Sequence, residues 1–150
     1  MQETKWIKKS FNELTNKELY KLMRLRQEVF VVEQDCAYLD LDDKDDKCHH
    51  LLAYLPENNL GAYARILPPK VTFEEVCIGR IVTSPAYRGT GLGKELMHQS
   101  FAYIETLYGK VPIRISAQYY LLRFYENFGF QKVSSLYLED GIPHVQMFRS

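Results

Sequence analysis

Apolar residues recur along this chain at two spacings, one typical of β-strands and the other typical of α-helices. Two strands are expected to flank Asp140-Gly141, because an Asp-Gly pair between apolar runs is typical of a hairpin turn. Other short runs rich in branched and aromatic residues predict strands over residues 3–9, 49–55, 60–67, 76–83 and 111–116.

Segments with the apolar spacing of helices lie between several of these strands. Thr15 and Glu18 form a capping box, which predicts a helix over residues 16–32. A second helix should end at Gly109, the usual position of a C-terminal glycine cap, and a third is expected over residues 119–127. The apolar face of the second helix comprises Leu96, Met97, Phe101, Ile104 and Leu107. The alternation of strands and helices predicts an α/β chain.

Composition limits the kinds of protein that this chain can be. The chain has 150 residues and 46% hydrophobic content, which suits one core and a single domain over residues 1–150. Lys plus Arg equals Asp plus Glu at 19 each, so neither nucleic acid nor an anionic membrane is an expected partner. No apolar segment approaches the roughly 20 residues needed to span a bilayer, and the N-terminus has no apolar signal region.

Neither the cysteines nor the acidic segment has the residue pattern of a metal site. Cys36, Cys48 and Cys77 are far apart and lack the spacing of a zinc site, which favours reduced thiols in a cytoplasmic protein. An EF-hand loop beginning at Asp40 would require Gly at Asp45 and Glu where Leu51 stands. We therefore expect no metal, and residues 40–46 are predicted to form a solvated surface turn.

The segment over residues 81–97 indicates a strand, a sharp turn, a glycine-rich loop and a helix. Gly89, Gly91 and Gly93 would leave backbone N–H groups uncovered, and the helix N-terminus behind them adds partial positive charge. This order of elements predicts a pyrophosphate site, with an ordinary glycine-rich connection as the alternative.

Two familiar phosphate loops do not fit. A Walker loop would have Gly in place of Arg88 and Ser or Thr in place of Glu95. A dinucleotide fingerprint would need Gly in place of Lys94 and an acidic residue near Gly109.

The remaining pattern, Arg88-x-x-Gly91-x-Gly93, resembles the acetyl-CoA pyrophosphate loop of the GCN5-related N-acetyltransferases (GNAT). The segment from Tyr125 to Phe130 is similar to the Tyr-x-x-x-Gly-Phe ending found in that superfamily. Residues 25–34, 78–82 and 137–147 further resemble its ElaA-like branch, so the similarity covers nearly the whole chain.

This resemblance implies a mixed, mostly antiparallel sheet of about seven strands, flanked by helices and splayed between the fourth and fifth strands. It also implies acetyl-CoA as co-substrate and direct attack by the acceptor in a ternary complex, with a backbone N–H near Val82 polarising the thioester carbonyl. The residues expected to contact the co-substrate are Ile81, Val82, Thr83, Arg88, Gly89, Thr90, Gly91, Leu92, Gly93, Lys94, Gln118 and Phe124.

The same resemblance implies that Tyr125 lies beside the sulfur and donates a proton to the departing thiolate. A phenol with an ordinary pKa of about 10 is protonated at neutral pH and suits this role. The alternative is that Tyr125 is a packed aromatic residue of the helix. No nucleophilic residue is required. Cys77 lacks an activating neighbour and is predicted to be structural.

The general base is ambiguous in the sequence. His144 is the first candidate, because it begins the last strand near the expected acceptor end and histidine changes charge near neutral pH. The alternatives are Glu33, His50, a water relay, and Glu75 if a bulge turns it towards the cleft.

Three charged residues are candidates for binding the acceptor. Glu33 should lie where the first helix closes, and is expected either to bind an ammonium group or to serve as a surface cap. Arg65 and Arg80 lie on strands that are otherwise apolar, so each should bind an acidic group of the acceptor or pair internally with Glu33 or the Asp-rich loop, which is favoured.

Two functions follow. The first is an N-acetyltransferase acting on a primary amine of a small molecule, peptide or protein, as a monomer or homodimer. The second is a non-catalytic acyl-CoA-binding sensor. Tyr125 favours the enzyme, because a sensor has no use for a proton donor at the sulfur.

Overall fold

The computed structural model describes residues 3–150 and contains one eight-stranded sheet. The strand order is β1-β2-β3-β4-β5-β8-β6, and β7 pairs with β8 outside this path. The strands are β1 Lys5–Ser10, β2 His49–Leu55, β3 Asn59–Leu67, β4 Val76–Thr83, β5 Ile113–Gln118, β6 Gln131–Lys132, β7 Tyr137–Glu139 and β8 Ile142–Arg149.

Three helices flank the sheet: α1 Asn16–Arg26, α2 Leu92–Tyr108 and α3 Leu122–Glu126. The capping box at Thr15 is confirmed, since the Glu18 N–H donates to Thr15 Oγ1 at 3.1 Å and the Thr15 N–H donates to Glu18 Oε1 at 2.8 Å. The predicted end of α2 is also confirmed, because Gly109 caps it with a φ of +80°.

The end of the first helix differs from the prediction. The chain remains helical as far as Glu33, but Gln27–Glu33 is wound as a π-helix. The Gln34 N–H accordingly bonds the carbonyl of Val29, and the Cys36 N–H bonds that of Val31. Apolar spacing predicts a helical face without distinguishing this wider winding, which often marks functional sites.

The predicted splay of the sheet is confirmed. Every strand pairing is antiparallel except β4 with β5, which run parallel and pair only at Val76–Ile113 and Cys77–Arg114. β4 also contains a bulge, because Arg65 pairs with Gly79 whereas Tyr63 pairs with Val82. Arg80 within this bulge has a φ of +49°, which is unusual for a residue other than glycine.

The core lies on both faces of the sheet. On one face α1 and its π-helical extension pack Leu22, Leu25 and Val29 against Leu52, Tyr63 and Val82. On the other face α2 and α3 cover a larger cluster that includes Leu51, Ala64, Ile66, Leu96, Met97, Ile115, Tyr125 and Phe130. Alternation along β2 explains the division, since Leu51 and Leu52 face opposite layers.

The prediction of a solvated turn at residues 40–46 is wrong. Asp45 is buried, and its carboxylate lies 2.6 Å from Arg26 Nη1 and 3.0 Å from Arg65 Nη1. Asp42 binds Arg65 at 2.7 Å, and Asp40 binds the fully buried Arg26 at 2.7 Å. The acidic segment is therefore folded onto the sheet by arginines instead of lying in solvent.

Candidate active site

A cleft of about 690 Å³ opens where β4 and β5 separate. One wall is formed by residues 78–83 of β4, and the other by residues of β5 and α3. The end of the π-helix, the segment from Cys36 to Asp40 and the hairpin between β7 and β8 close the remaining sides. The cleft is therefore a direct consequence of the limited pairing between β4 and β5.

The glycine-rich loop forms an open cradle at the start of α2. Gly89 and Gly91 have φ values of +78° and +85°, and a Cβ atom built on either would meet nothing within 4 Å. Among residues 3–150, no side chain caps the N-terminus of α2, so its first amides are free to bind an anion. Gly93 lies close to β4, where an added Cβ would be 3.4 Å from Thr83 Oγ1. These features fit a diphosphate group.

Arg88 is held by a residue from the other side of the cleft. Its guanidinium makes two hydrogen bonds to the Glu33 carboxylate, at 2.6 and 2.7 Å. These bonds lower the pKa of Glu33, although burial opposes them slightly. Glu33 was predicted to bind the acceptor or to act as a surface cap, but the structure shows its carboxylate engaged with the phosphate-binding loop.

The remaining loop residues are arranged around the cradle. Thr90 Oγ1 donates to the carbonyl of Tyr87 at 2.6 Å and so tightens the turn. Leu92 is buried beneath the start of α2, and Lys94, two residues later, is exposed. Neither residue lines the cleft itself, which is reached by Gly93 and Arg88.

Ile81, Val82 and Thr83, the last three residues of β4, line the cleft as expected. Val82 pairs with Tyr63 on the β3 side, whereas the pairing with β5 stops at Cys77. The other edge of β4 therefore meets no strand over these three residues, and can hydrogen-bond an extended ligand.

Tyr125 reaches the cleft from α3 and is only 5% exposed. Its ring packs edge-to-face against Phe124 at 5.2 Å and Phe130 at 6.1 Å, measured between ring centroids. Burial raises the pKa of the phenol well above its ordinary value, and the nearby Tyr120 and Cys77 add to this. Tyr125 therefore remains protonated throughout the neutral range.

Gln118 and Phe124 also line the cleft, as expected for residues beside a bound co-substrate. The Gln118 side-chain amide exchanges hydrogen bonds with that of Gln34, at 3.2 and 3.3 Å. This pair joins β5 to the end of the π-helix across the cleft.

Of the candidates for the general base, His144 lies in the cleft and is 6% exposed. His50 is buried elsewhere, where Nδ1 lies 2.6 Å from the Tyr63 hydroxyl and Nε2 donates to the Asp45 carbonyl. Glu75 pairs with Arg114 at 3.0 Å and does not line the cleft. The structure thus brings His144 together with Tyr125, and keeps His50 and Glu75 away.

The two arginines are paired internally, as favoured. Arg80 lines the cleft, but its Nε lies 2.7 Å from Asp40 Oδ1 and one terminal nitrogen donates to the Asp40 carbonyl. Arg65 is 3% exposed, lies outside the cleft lining and binds Asp42 and Asp45. An acceptor-binding role for Arg65 is therefore wrong, because its guanidinium is buried within the ion-pair cluster.

Burial also raises the pKa values of two thiols, those of Cys48 and Cys77. It raises the pKa of the Cys77 thiol to about 12 and that of Cys48 to about 11. Both thiols remain protonated at neutral pH, and Cys77 packs against Leu67 in a small apolar cluster. This environment gives Cys77 no nucleophilic character.

Within residues 3–150, no three His, Cys, Asp or Glu side chains are arranged to hold a metal ion. No helix in the same part of the chain combines the length and the apolar character needed to cross a membrane.

Several residues of the cleft escaped the sequence analysis. Gln34, Cys36, Ser116, Glu139 and Asp140 all line it. Ser116 and Gln118 lie two residues apart on β5, a spacing that marks one polar face of a strand. The Asp140-Gly141 turn sets the register that brings Glu139 beside His144, but the contact of Glu139 with Ser116 on β5 has no comparable local signal.

Comparison with known proteins agrees with this architecture. A family model described as an acetyltransferase (GNAT) domain matches residues 12–149. Protein ElaA of Escherichia coli is 40% identical over 146 residues, which cover 96% of this chain and 95% of that protein. The relative from Schizosaccharomyces pombe designated UPF0039 protein C11D3.02c is 42% identical over 148 residues, covering 98% of this chain and 97% of its own.

Solved structures give the same result. An acyl-CoA N-acyltransferase from Pseudomonas aeruginosa superimposes with a TM-score of 0.93 at 44% identity, covering 99% of this chain and all of that one. The crystal structure of Escherichia coli ElaA superimposes with a TM-score of 0.91 at 39% identity and the same coverage. The chain therefore belongs to the GNAT acetyltransferase family, in the branch that contains ElaA.

Proposed function

We propose that this protein is an acetyl-CoA-dependent N-acetyltransferase that transfers an acetyl group directly to a primary amine. The acceptor is a small molecule, a peptide or a protein. The observation that carries the proposal is a cleft that leads from an open glycine cradle, where Arg88 and Gly93 line it, to the buried and protonated phenol of Tyr125. A site for phosphate alone would not require Tyr125.

The residues suited to hold acetyl-CoA follow the cleft from one end to the other. Arg88, Gly89, Thr90, Gly91, Leu92, Gly93 and Lys94 form the diphosphate site, with backbone amides as the main donors. The free edge at Ile81, Val82 and Thr83 suits the amide groups of the pantetheine arm, and Gln118 and Phe124 flank it from the other wall. When bound, the thioester supplies an activated acyl group.

Tyr125 acts as the general acid. Its hydroxyl hands a proton to the departing sulfur, which makes a thiol the leaving group instead of a thiolate. Burial keeps the phenol in its neutral, proton-carrying form before the reaction, but the same raised pKa makes it a weaker acid. The transfer therefore accompanies cleavage of the C–S bond, when negative charge develops on the sulfur. A backbone N–H near Val82 is the proposed donor to the thioester carbonyl oxygen.

His144 acts as the general base. An alkylamine is mostly protonated at neutral pH and must lose a proton before it can attack. His144 is the imidazole that lines this cleft among residues 3–150, and its Nε2 is not bonded to a backbone carbonyl. This arrangement supports proton removal at Nε2.

The direct test is release of free CoA by purified protein in the presence of acetyl-CoA and a panel of primary amines. Amine-dependent release, with a matching acetylated product by mass spectrometry, is the expected result. Tight binding of acetyl-CoA without release for any amine would instead support the sensor. The dependence of rate on amine structure would also define the acceptor class.

A further inference from the structure

We propose that Glu139 is a positioning residue that acts through His144, stabilising the imidazolium ion formed when His144 removes a proton from the acceptor amine. The inference rests on the proposed function. Glu139 was not singled out from the sequence, and its role follows from four contacts at the acceptor end of the cleft.

The first contact is set by the hairpin of β7 and β8. Asp140 and Gly141 have φ values of +53° and +76°, as in a two-residue type I′ turn, so the register of the two strands is fixed. Glu139 pairs with Ile142, and Tyr137 pairs with His144. Glu139 and His144 are therefore diagonal neighbours on one face of the hairpin, and Glu139 Oε2 lies 3.4 Å from His144 Nε2.

The second contact determines where the imidazole carries its proton. His144 Nδ1 lies 2.6 Å from the carbonyl oxygen of Ile142. Because a carbonyl can only accept, Nδ1 must be the protonated nitrogen of the neutral ring. The lone pair is then on Nε2, the atom that faces Glu139, so proton uptake converts a repulsive contact into an attractive one.

The third and fourth contacts hold both partners in place. The other oxygen of Glu139, Oε1, accepts from Ser116 Oγ at 3.3 Å, and Ser116 is in turn hydrogen-bonded to the Tyr137 hydroxyl. The Tyr137 ring stacks on the His144 ring with a centroid distance of 6.1 Å and an angle of 26°. The carboxylate and the imidazole are thus both restrained by β5 and β7.

Other charged groups do not compete for this role. Asp40 and Glu33 line the same cleft, but their carboxylates form ion pairs with arginines. Glu139 has no Lys or Arg partner within residues 3–150. The remaining ionisable or charged groups near His144 or along the cleft are Cys36, Tyr38, Arg80, Arg88, Tyr120, Tyr125, Tyr137 and Asp140.

The proton balance is complete. His144 Nε2 takes one proton from the ammonium form of the acceptor, and the freed electron pair forms the bond to the acyl carbon. The C–S bond then breaks, and the sulfur takes the proton of Tyr125. The second proton, released from the amine nitrogen as the amide forms, restores the Tyr125 hydroxyl. Glu139 compensates the charge of the His144 imidazolium, and the proton of that ring passes to solvent beside the Glu139 side chain, which is 48% exposed.

The first experiment follows His144 by NMR titration with labelled histidine, which needs no turnover. The chain has 4 histidines, and His144→Ala identifies the signal. We expect the neutral ring to be protonated at Nδ1, and we expect Glu139→Gln to lower the titration midpoint by about half a pH unit or more. Asp140→Asn, the matched control at the adjacent carboxylate, should leave the midpoint nearly unchanged. An Nε2-protonated neutral ring, or equal midpoints in wild type and Glu139→Gln, would overturn the proposal.

The second experiment measures kinetics with an amine that the wild type accepts. Glu139→Gln should lower kcat about tenfold, with unchanged KM for acetyl-CoA, and should move the acidic limb of the pH–rate profile to lower pH. In a His144→Ala background the same change should have less than about a twofold effect, because the two residues act as one unit. A full tenfold effect in that background would contradict a role through His144. The proposed function fails separately, if the wild type releases no CoA with any amine.

Discussion

Replacement of Tyr125 by Phe isolates the chemistry of one hydroxyl group. The ring of Tyr125 packs against Phe124 and Phe130, and a phenylalanine can keep both contacts. The Tyr125 hydroxyl has no side-chain hydrogen-bond partner within residues 3–150. Removing this hydroxyl therefore leaves no buried partner unsatisfied. The free energy of unfolding should therefore change by less than about 1 kcal/mol.

The expected effect on turnover is much larger. A general acid contributes about 10²–10⁴ in rate, which corresponds to about 2.7–5.5 kcal/mol of transition-state stabilisation. Even if the sulfur can leave partly unaided, kcat should fall at least tenfold while the affinity for acetyl-CoA is retained. The assay is CoA release at saturating amine, under conditions where chemistry limits the rate.

Tyr103→Phe is the matched control. Tyr103 is also a buried tyrosine, and burial raises its pKa to about 12, but it lies on α2 outside the lining of the cleft. Its hydroxyl contacts His49, so some stability is expected to be lost without loss of turnover. Wild-type turnover in Tyr125→Phe would show that Tyr125 is only a packing residue.

Three other outcomes can be measured. Gly91→Asp should abolish the rise in Tm caused by CoA. Gly109→Asp, which imposes greater backbone strain at the other end of α2 because its ψ is −161° where that of Gly91 is 2°, should retain it. An unchanged CoA response in folded Gly91→Asp would refute the cradle. Glu33→Gln should tighten CoA binding several-fold in calorimetry and change stability by only about 0.5 kcal/mol, because it frees Arg88 from an exposed ion pair; weaker binding would mean that Glu33 preorganises Arg88. Asp45→Asn should lower the free energy of unfolding by about 3–5 kcal/mol in denaturant titration, since it leaves buried arginine charge uncompensated; a change below about 1 kcal/mol would contradict this account.

The same cluster sets the acid stability. Burial alone would raise the pKa values of Asp42 and Asp45, but hydrogen bonds and charge from Arg65 and Arg26 outweigh it. They hold the pKa of Asp42 well below its usual range and lower that of Asp45. Each carboxylate therefore contributes stability that is present above the unfolded pKa of about 4 and is lost as pH falls below it. Thermal unfolding should show Tm falling steeply below about pH 4, and less steeply in Asp45→Asn.

Features fixed by neighbours in sequence could be predicted. Thr15 and Glu18 identify the start of α1, and Asp140-Gly141 identifies the last hairpin, because both depend on a few consecutive residues. The glycine cradle belongs to this class as well, since Gly89 and Gly91 adopt positive φ values that other residues avoid.

Features fixed by contacts between residues far apart in sequence could not be predicted. The acidic segment appeared solvated because nothing nearby in sequence neutralises it, whereas Asp45 pairs with arginines 19 and 20 residues away. The bulge at Arg80 and the π-winding of Gln27–Glu33 likewise have no local pattern. The role of Glu139 could not be predicted because its carboxylate is held by Ser116, which lies 23 residues away on another strand.

A crystal structure of the protein with bound CoA would test the central claim most directly. We predict that the diphosphate lies on the amides of residues 89–93 and the pantetheine arm runs along Ile81 to Thr83. The sulfur should lie within hydrogen-bonding reach of the Tyr125 hydroxyl, on the same side of the splay as His144. A diphosphate bound elsewhere, or a sulfur remote from Tyr125, would contradict the assignment of this cleft as the site of acyl transfer.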